Sequence, residues 1–282
     1  MKKITLFAAL IIISVITFAG SSKAAAYPFD VKITGKGKNA IIFIPGFACS
    51  GDVWNETRTV YEKNYKCYTL TMAGFAGTPA QPGASFNNWE KGIADYIKEQ
   101  KIERAILIGH SMGGGLALAL AADYPELFSK IVVVDALPCL VAMRNPNFKS
   151  KEKNDCSPMV NQFLTVSDAQ FLQMQQMSMP GLCADTARVP GIINWTVKSD
   201  RKTFAEMYCD FSNTDLREKI ANIKCPSLIL LEANFAIFKP KIEAQYGNLK
   251  GASIQYATKG LHFIMYDDTD WYNQQLATYI KP

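Results

Sequence analysis

Two short stretches of this chain hold the residue types needed for covalent acyl transfer. The first is Gly109-His110-Ser111-Met112-Gly113, set between the apolar run Ala105-Ile-Leu-Ile108 and an Ala/Leu-rich stretch from Met112 to Ala122. Glycines two places before and two places after a serine leave room for a sharp strand-to-helix turn, because a side chain at either place would strike neighbouring backbone. Ser111 is thereby pushed out of a sheet at a helix N-terminus, where partial positive charge favours a developing anion. A serine hydroxyl needs a partner that accepts its proton near neutral pH, which is the range of histidine. The chain has 2 histidines. His110 sits on the turn itself and cannot easily face the nucleophile, which leaves His262, in Lys259-Gly-Leu-His-Phe-Ile-Met265, as the base.

The elements that would position these groups read as an alternation. Short, continuous, apolar runs at Val31 to Ile33, Asn39 to Ile44, Lys66 to Thr71, Ala105 to Ile108, Lys130 to Asp135, Ser227 to Leu231 and Ala252 to Tyr256 have the character of strands covered on both faces. Between them, apolar residues at three and four spacing predict helices around 53–62, 87–99, 112–122, 215–223, 242–248 and 269–280. Strand alternating with helix implies an α/β fold: a mostly parallel central sheet flanked by helices, with ligands at the carboxyl ends of the strands. The stretch 136–210 breaks the rhythm with helix-like Met/Gln segments such as Phe163 to Met179 and the aromatics Phe163, Phe171, Trp195, Phe204 and Tyr208, and it reads as a helical cap inserted between core segments 27–135 and 211–282.

The nucleophile turn, the Gly-containing turn after an early strand, the helical insertion and the late histidine before the last helix occur here in one order. In that order the chain resembles the α/β-hydrolase superfamily, in its serine esterase and lipase branch, from about Val31 to Ile280. The resemblance implies a Ser-His-acid triad. It also implies an oxyanion hole of two backbone donors: the N–H of Met112, directly after the nucleophile, and that of Phe47, on Ile44-Pro-Gly-Phe47. Where the family often has His-Gly this chain has Pro45-Gly46, a change that leaves the backbone donor intact.

The commoner family position for the acid falls at Phe235 in Leu231-Glu-Ala-Asn-Phe-Ala-Ile-Phe238, where Glu232 and Asn234 are imperfect substitutes. Some lipases carry the acid one strand earlier, and there Ile131-Val-Val-Val-Asp135 delivers a carboxylate to a strand end. Asp135 is the first candidate, with Glu232 and Asn234 as alternatives. Tyr68 to Pro79 resembles the loop that borders the family's site, which makes Phe75 a candidate wall of the substrate pocket.

Of 282 residues, 49% are hydrophobic and 20% charged, which excludes a disordered tail and a collagen-like repeat. Lys2 and Lys3, the apolar stretch Ile4 to Ala19 and the close Ala24-Ala25-Ala26 form the pattern of a secretory signal peptide over 1–26, and predict an exported protein, periplasmic or secreted, with no stable membrane insertion after cleavage. Removing that segment takes away three of 30 basic residues and none of 25 acids, so a formal net charge of +5 falls to +2, and no nucleic-acid footprint is expected. Seven cysteines lie beyond it, four of them between Cys139 and Cys209, where a disulfide is expected. No pair has Cys-x-x-Cys spacing, so neither a metal nor a cofactor is called for.

Together these residues predict a serine hydrolase, a carboxylesterase acting on small-molecule apolar acyl or aryl esters through an acyl-enzyme. Six cap methionines (Met143, Met159, Met174, Met177, Met179 and Met207) would suit an adaptable apolar pocket. Two alternatives stand beside that reading. A proline-type aminopeptidase would recognise the substrate's amine with cap carboxylates among Asp155, Asp168, Asp185 and Glu206. A hydrolase-like binding protein would keep the pocket and lose turnover.

Overall fold

The computed structural model describes residues 27–281, so the segment read as a signal peptide lies outside the described residues. Seven strands, β1 (Phe29–Thr34), β2 (Asn39–Ile44), β3 (Tyr65–Met72), β4 (Ala105–His110), β5 (Phe128–Val134), β6 (Ser227–Leu231) and β7 (Ser253–Tyr256), form one sheet in the order β1-β3-β2-β4-β5-β6-β7. β1 runs antiparallel to β3 at the edge, and every other pairing is parallel. The five inner strands are covered on both faces, but the edge strands β1 and β7, expected to be covered likewise, are exposed or half-buried along most of their length because each has a neighbour on one side alone. In β2, Ile42 and Ile44 enter one core cluster while Ile41 and Phe43 enter the other.

The helices α1 (Asn55–Tyr61), α2 (Phe86–Glu99) and α3 (Met112–Asp123) follow the first strands, and α8 (Lys239–Gln245), α9 (Ile264–Asp267) and α10 (Thr269–Tyr279) close the chain. Trp89 and Ile93 of α2, Leu116 of α3 and Ile242 of α8 pack on one face of the sheet; Tyr61, Tyr272 and Leu276 of α1 and α10 pack on the other. Between β5 and β6 lies the cap, with α4 (Ser157–Thr165), α5 (Asp168–Ser178), α6 (Val189–Val197) and α7 (Arg201–Ser212). Its ends meet where the Leu216 N–H donates to the Pro138 carbonyl at 2.9 Å. The disulfide forms between Cys156, just before α4, and Cys209 on α7.

Two expected helices come out differently. The stretch 163–179 is divided at Val166-Ser167, because Ser167 caps α5 with a reciprocal Ser167/Gln170 capping box. The stretch 215–223 forms only a short 3₁₀ turn, Lys219–Asn222. Leu216, Ile220 and Ile223 are buried at helical spacing, but Arg217 binds Asp215 and the carbonyls of Pro146 and Phe148, so side-chain bonds to the cap loop hold this segment open.

Candidate active site

Ser111 stands between β4 and α3 with φ 52° and ψ −121°, a left-handed backbone that costs a non-glycine residue on the order of 1–3 kcal/mol. The surroundings over-determine it. The Ser111 N–H donates to the Val134 carbonyl at 2.8 Å, and its own carbonyl accepts from the Gly115 N–H at 3.0 Å. A Cβ on Gly109 would lie 2.1 Å from the Gly113 carbonyl oxygen, and one on Gly113 would lie 2.4 Å from those of Ile44 and Pro45. Neither position has room for any other residue, which is the steric reason for the Gly-x-Ser-x-Gly spacing.

Asp135 follows β5 and is also left-handed, with φ 46°. Its N–H donates to the Leu230 carbonyl at 2.7 Å, which pins the carboxylate above the gap between β5 and β6. One carboxylate oxygen, Oδ1, accepts the Glu232 N–H at 2.7 Å; the other, Oδ2, lies 2.6 Å from His262 Nδ1. The side chain is 1% exposed. Burial pulls the His262 pKa down, but the hydrogen bond and charge of Asp135, with the charge of Glu232 behind it, outweigh burial and raise it. With Nδ1–H given to Asp135, Nε2 is the nitrogen left to accept a proton. His262 and Ser111 line one cavity. Ser111 Oγ has no hydrogen-bond partner among the described residues, a looseness common before substrate enters.

The loop that carries His262 is held from beneath and from the cap. Asp268 accepts from the Thr258 and Lys259 N–H groups, and Asp267 accepts from the Leu261 N–H at 2.8 Å. Asp267 also accepts from the N–H groups of Ala184 and Asp185 in the cap, at 3.0 and 2.9 Å. One carboxylate therefore joins the His262 loop to the roof of the cavity, a role that nothing in its sequence neighbourhood announced.

His110 borders the same cavity but is held differently from His262. It is buried, and its Nε2–H donates to the His262 carbonyl at 2.9 Å. Burial, together with the charge of His262, holds its pKa well below the usual range, so it stays a neutral donor. Its Nδ1 has no partner among the described residues and would lie 2.8 Å from a Cβ on Gly46. The ring is thus wedged between the Pro45-Gly46 turn and the His262 loop.

The two candidate oxyanion donors flank Ser111. Met112 is the first residue of α3, so its N–H lies outside the helical ladder. Phe47 lines the cavity on a turn closed by the Cys49 N–H to the Gly46 carbonyl at 3.2 Å, and Gly46 brings that turn against Ser111, a Cβ there lying 3.3 Å from Ser111 Cβ. Neither N–H has a hydrogen-bond partner among the described residues. Phe75 does not line the cavity. It is fully buried, its ring 5.2 Å from that of Phe47 and 5.1 Å from that of Trp89, so it backs Phe47 and is no wall for substrate.

The cavity has a volume of about 400 Å³ and a lining dominated by Phe47, Leu140, Ile192, Phe204, Phe211 and Phe263. Of the six cap methionines only Met179 reaches it; Met177 is 76% exposed and Met207 is buried in the core. Aromatic rings, more than thioethers, shape the pocket. Asp155, Asp168, Asp185 and Glu206 are all absent from its lining. Asp168, Asp185 and Glu206 pair instead with Arg201, Arg188 and Lys202, and Asp155 accepts from the Ser157 N–H. Cys49 lies on the cavity wall as a thiol that burial pushes up to about 12, so it is no rival nucleophile.

Residues 39–231 match the model of the alpha/beta hydrolase fold family. The chain is 24% identical over 210 residues to the pimeloyl-[acyl-carrier protein] methyl ester esterase of Wigglesworthia glossinidia brevipalpis, covering 71% of this chain and 76% of that protein. Among solved structures it superposes on the enol-lactonase from Burkholderia xenovorans LB400 with a TM-score of 0.73 at 16% identity, over 89% of this chain and 96% of the other. An esterase from Exiguobacterium antarcticum superposes with a TM-score of 0.72 at 17% identity, over 90% and 96%.

Proposed function

Because the chain belongs to the alpha/beta hydrolase fold family, we propose that it is an exported carboxylic ester hydrolase working through Ser111, His262 and Asp135. The observation that carries this reading is the 2.6 Å contact between Asp135 Oδ2 and His262 Nδ1, on the cavity that Ser111 also lines. Ser111 Oγ attacks the ester carbonyl as His262 Nε2 takes its proton, and the imidazolium that forms is stabilised by the buried Asp135. The N–H groups of Phe47 and Met112 hold the oxyanion. His262 then protonates the leaving alcohol, and water repeats the cycle on the acyl-enzyme.

The substrate class follows from the walls. A 400 Å³ pocket with aromatic and aliphatic walls and no carboxylate among its lining residues suits an uncharged acyl or aryl ester. It offers no counter-ion to a free amine, which disfavours the aminopeptidase alternative. The names of the Wigglesworthia and Exiguobacterium proteins, both esterases, support an ester as substrate. The signal-peptide pattern and the Cys156–Cys209 bridge support export to an oxidising compartment.

The test is a panel of p-nitrophenyl esters of increasing acyl length beside aminoacyl p-nitroanilides, with a fluorophosphonate probe. The expected result is turnover of the neutral esters alone, and labelling that disappears in Ser111→Ala. Folded protein that neither labels nor turns over any ester would instead favour a binding protein.

A further inference from the structure

At the opposite end of the parallel strands from Ser111 lies a second concave surface, a basin of about 610 Å³ over the amino ends of β3, β2, β4 and β5. Its lining includes Lys38, Lys66, Lys101, Arg104, Lys130 and Lys281 against a single carboxylate, Glu103. That is more net positive charge than residues 27–282 carry as a whole. Lys130 is engaged, its Nζ donating to the Tyr279 carbonyl at 2.8 Å. Lys38, Lys66, Lys101 and Arg104 form no ion pair among the described residues.

The backbone supplies a second, independent observation. Six described non-glycine residues have positive φ: Ala48, Ala76, Lys101, Arg104, Ser111 and Asp135. Ala48, Ser111 and Asp135 belong to the active site or its oxyanion turn, and the Ala76 N–H donates to Ser199 of the cap. The remaining two are basin cations, Lys101 at φ 51° and Arg104 at φ 43°. Lys101 ends α2 in a Schellman turn, with Ile102 N–H to the Ile97 carbonyl at 3.0 Å and Lys101 N–H to the Lys98 carbonyl at 3.1 Å. Glycine meets that position without strain. Complementing the negative end of the helix dipole does not require a lysine there, because Lys98 already stands in the last turn. Unpaired charge and left-handed strain therefore coincide at the basin, as strain and chemistry coincide at Ser111.

We propose that this basin is a binding site for a compact, multiply charged anion of the oligophosphate class. Several cations around one concavity match an anion with several charges, and the Arg104 fork with its neighbouring lysine point charges suits phosphate oxygens. The volume is that of a small-molecule site. A bilayer or long polymer would touch the rim and leave the floor at Ala40, Ile102 and Ile106 unused. The site is separate from ester hydrolysis and does not rest on it.

The experiment titrates the enzyme with tripolyphosphate at low salt, following melting temperature and heat of binding, and repeats both with Lys101→Gly/Arg104→Gly. Because glycine relieves the left-handed strain, the variant is expected to melt at the same or a higher temperature without ligand. In the wild type, ligand at about a hundred times its Kd should raise Tm by roughly 5 °C, an effect weakened by added salt. In the variant the affinity should fall at least about tenfold, two unpaired charges having been removed, while ester hydrolysis is unchanged in both. Lys38→Gln/Lys66→Gln, on the exposed rim, should lose affinity in the same way. No rise in the wild type, undiminished affinity in either variant, a lower unliganded Tm in the glycine variant, or equal binding of inorganic phosphate would each overturn the proposal. Binding to phosphatidylglycerol vesicles without a response to tripolyphosphate would overturn it too, by assigning the charge to a membrane surface.

Discussion

The floor and the roof of the active-site cavity are built on different physical principles. The floor is backbone. Ser111 and Asp135 take left-handed conformations that core strands hold in place through the Val134 and Leu230 carbonyls, and His262 is pinned to Asp135 at 2.6 Å. The roof is side chain: Phe204, Tyr208 and Phe211 on α7 and Ile192 and Thr196 on α6 face the cavity from an insertion braced internally by one disulfide and tied to the core by Asp267 and by the Arg188 ion pair with Glu56. A floor with that geometry tolerates almost no change in the reacting groups. The roof can be loosened or recut, and doing so changes which ester fits and leaves the chemistry in place.

The largest effect should come from the floor. Asp135→Asn keeps the shape of the side chain but leaves His262 in the wrong tautomer beside a neutral neighbour, and kcat should fall about 10³–10⁴-fold with KM little changed. The comparison breaks if steady-state kinetics on a short p-nitrophenyl ester show a loss below tenfold. Loosening the roof should look different. Cys156→Ser/Cys209→Ser removes the bridge between the segment before α4 and α7, at a cost of about 2–4 kcal/mol in stability. A thermal melt measures that cost, and kinetics across acyl lengths should show KM rising for long esters while kcat for the shortest is retained.

How much of this was legible in the sequence follows the same division. The strands were, because a sheet covered on both faces demands continuous apolar runs, and those runs end where Ser111 and Asp135 must stand. The Gly109 and Gly113 requirement was legible because it is purely steric. The roof was not: helical pattern marked the insertion as a cap, but which of its residues face inward depends on rotation about each helix, so the methionines suggested walls that aromatics supply. Phe75 shows the same limit within the core, since the chain pattern placed its loop beside the site but not its ring behind Phe47. Asp267 and His110 act through contacts with backbone far away in sequence, and no local pattern marks such contacts.

His110 tests whether the floor's rigidity extends one layer below the reacting groups. His110→Phe keeps a ring in the wedge and removes the donor to the His262 carbonyl, leaving that partly buried acceptor unsatisfied. A loss of about 1–2 kcal/mol in transition-state stabilisation, roughly 5- to 30-fold in kcat, is expected. His110→Gln can restore an N–H donor and should recover part of the loss. Equal activity of all three proteins would reduce His110 to core filling.

The smallest effect, and the sharpest contrast within the floor, concerns the two neighbouring strand ends. Glu232 follows β6 as Asp135 follows β5, but only its backbone N–H touches the dyad, through Asp135 Oδ1. Burial and then the charge of Asp135 push the Glu232 carboxyl up to about 7, and its charge is one of the influences that raise His262. His262 must be neutral to accept the Ser111 proton, so kcat/KM rises with pH through the His262 pKa, which lies above its ordinary value. Removing the Glu232 charge lowers that pKa. Glu232→Gln should therefore match wild type near pH 6, where Glu232 is itself mostly protonated, exceed it a few-fold above pH 7, where Glu232 is ionised and His262 not yet fully neutral, on the order of half a pKa unit, and equal it again at higher pH. In wild type the Glu232 and His262 ionisations are coupled, which broadens the limb; the variant should show a single, steeper one. Were Glu232 the partner of His262, its replacement would instead cost orders of magnitude at every pH, and Asp135→Asn would be the mild change.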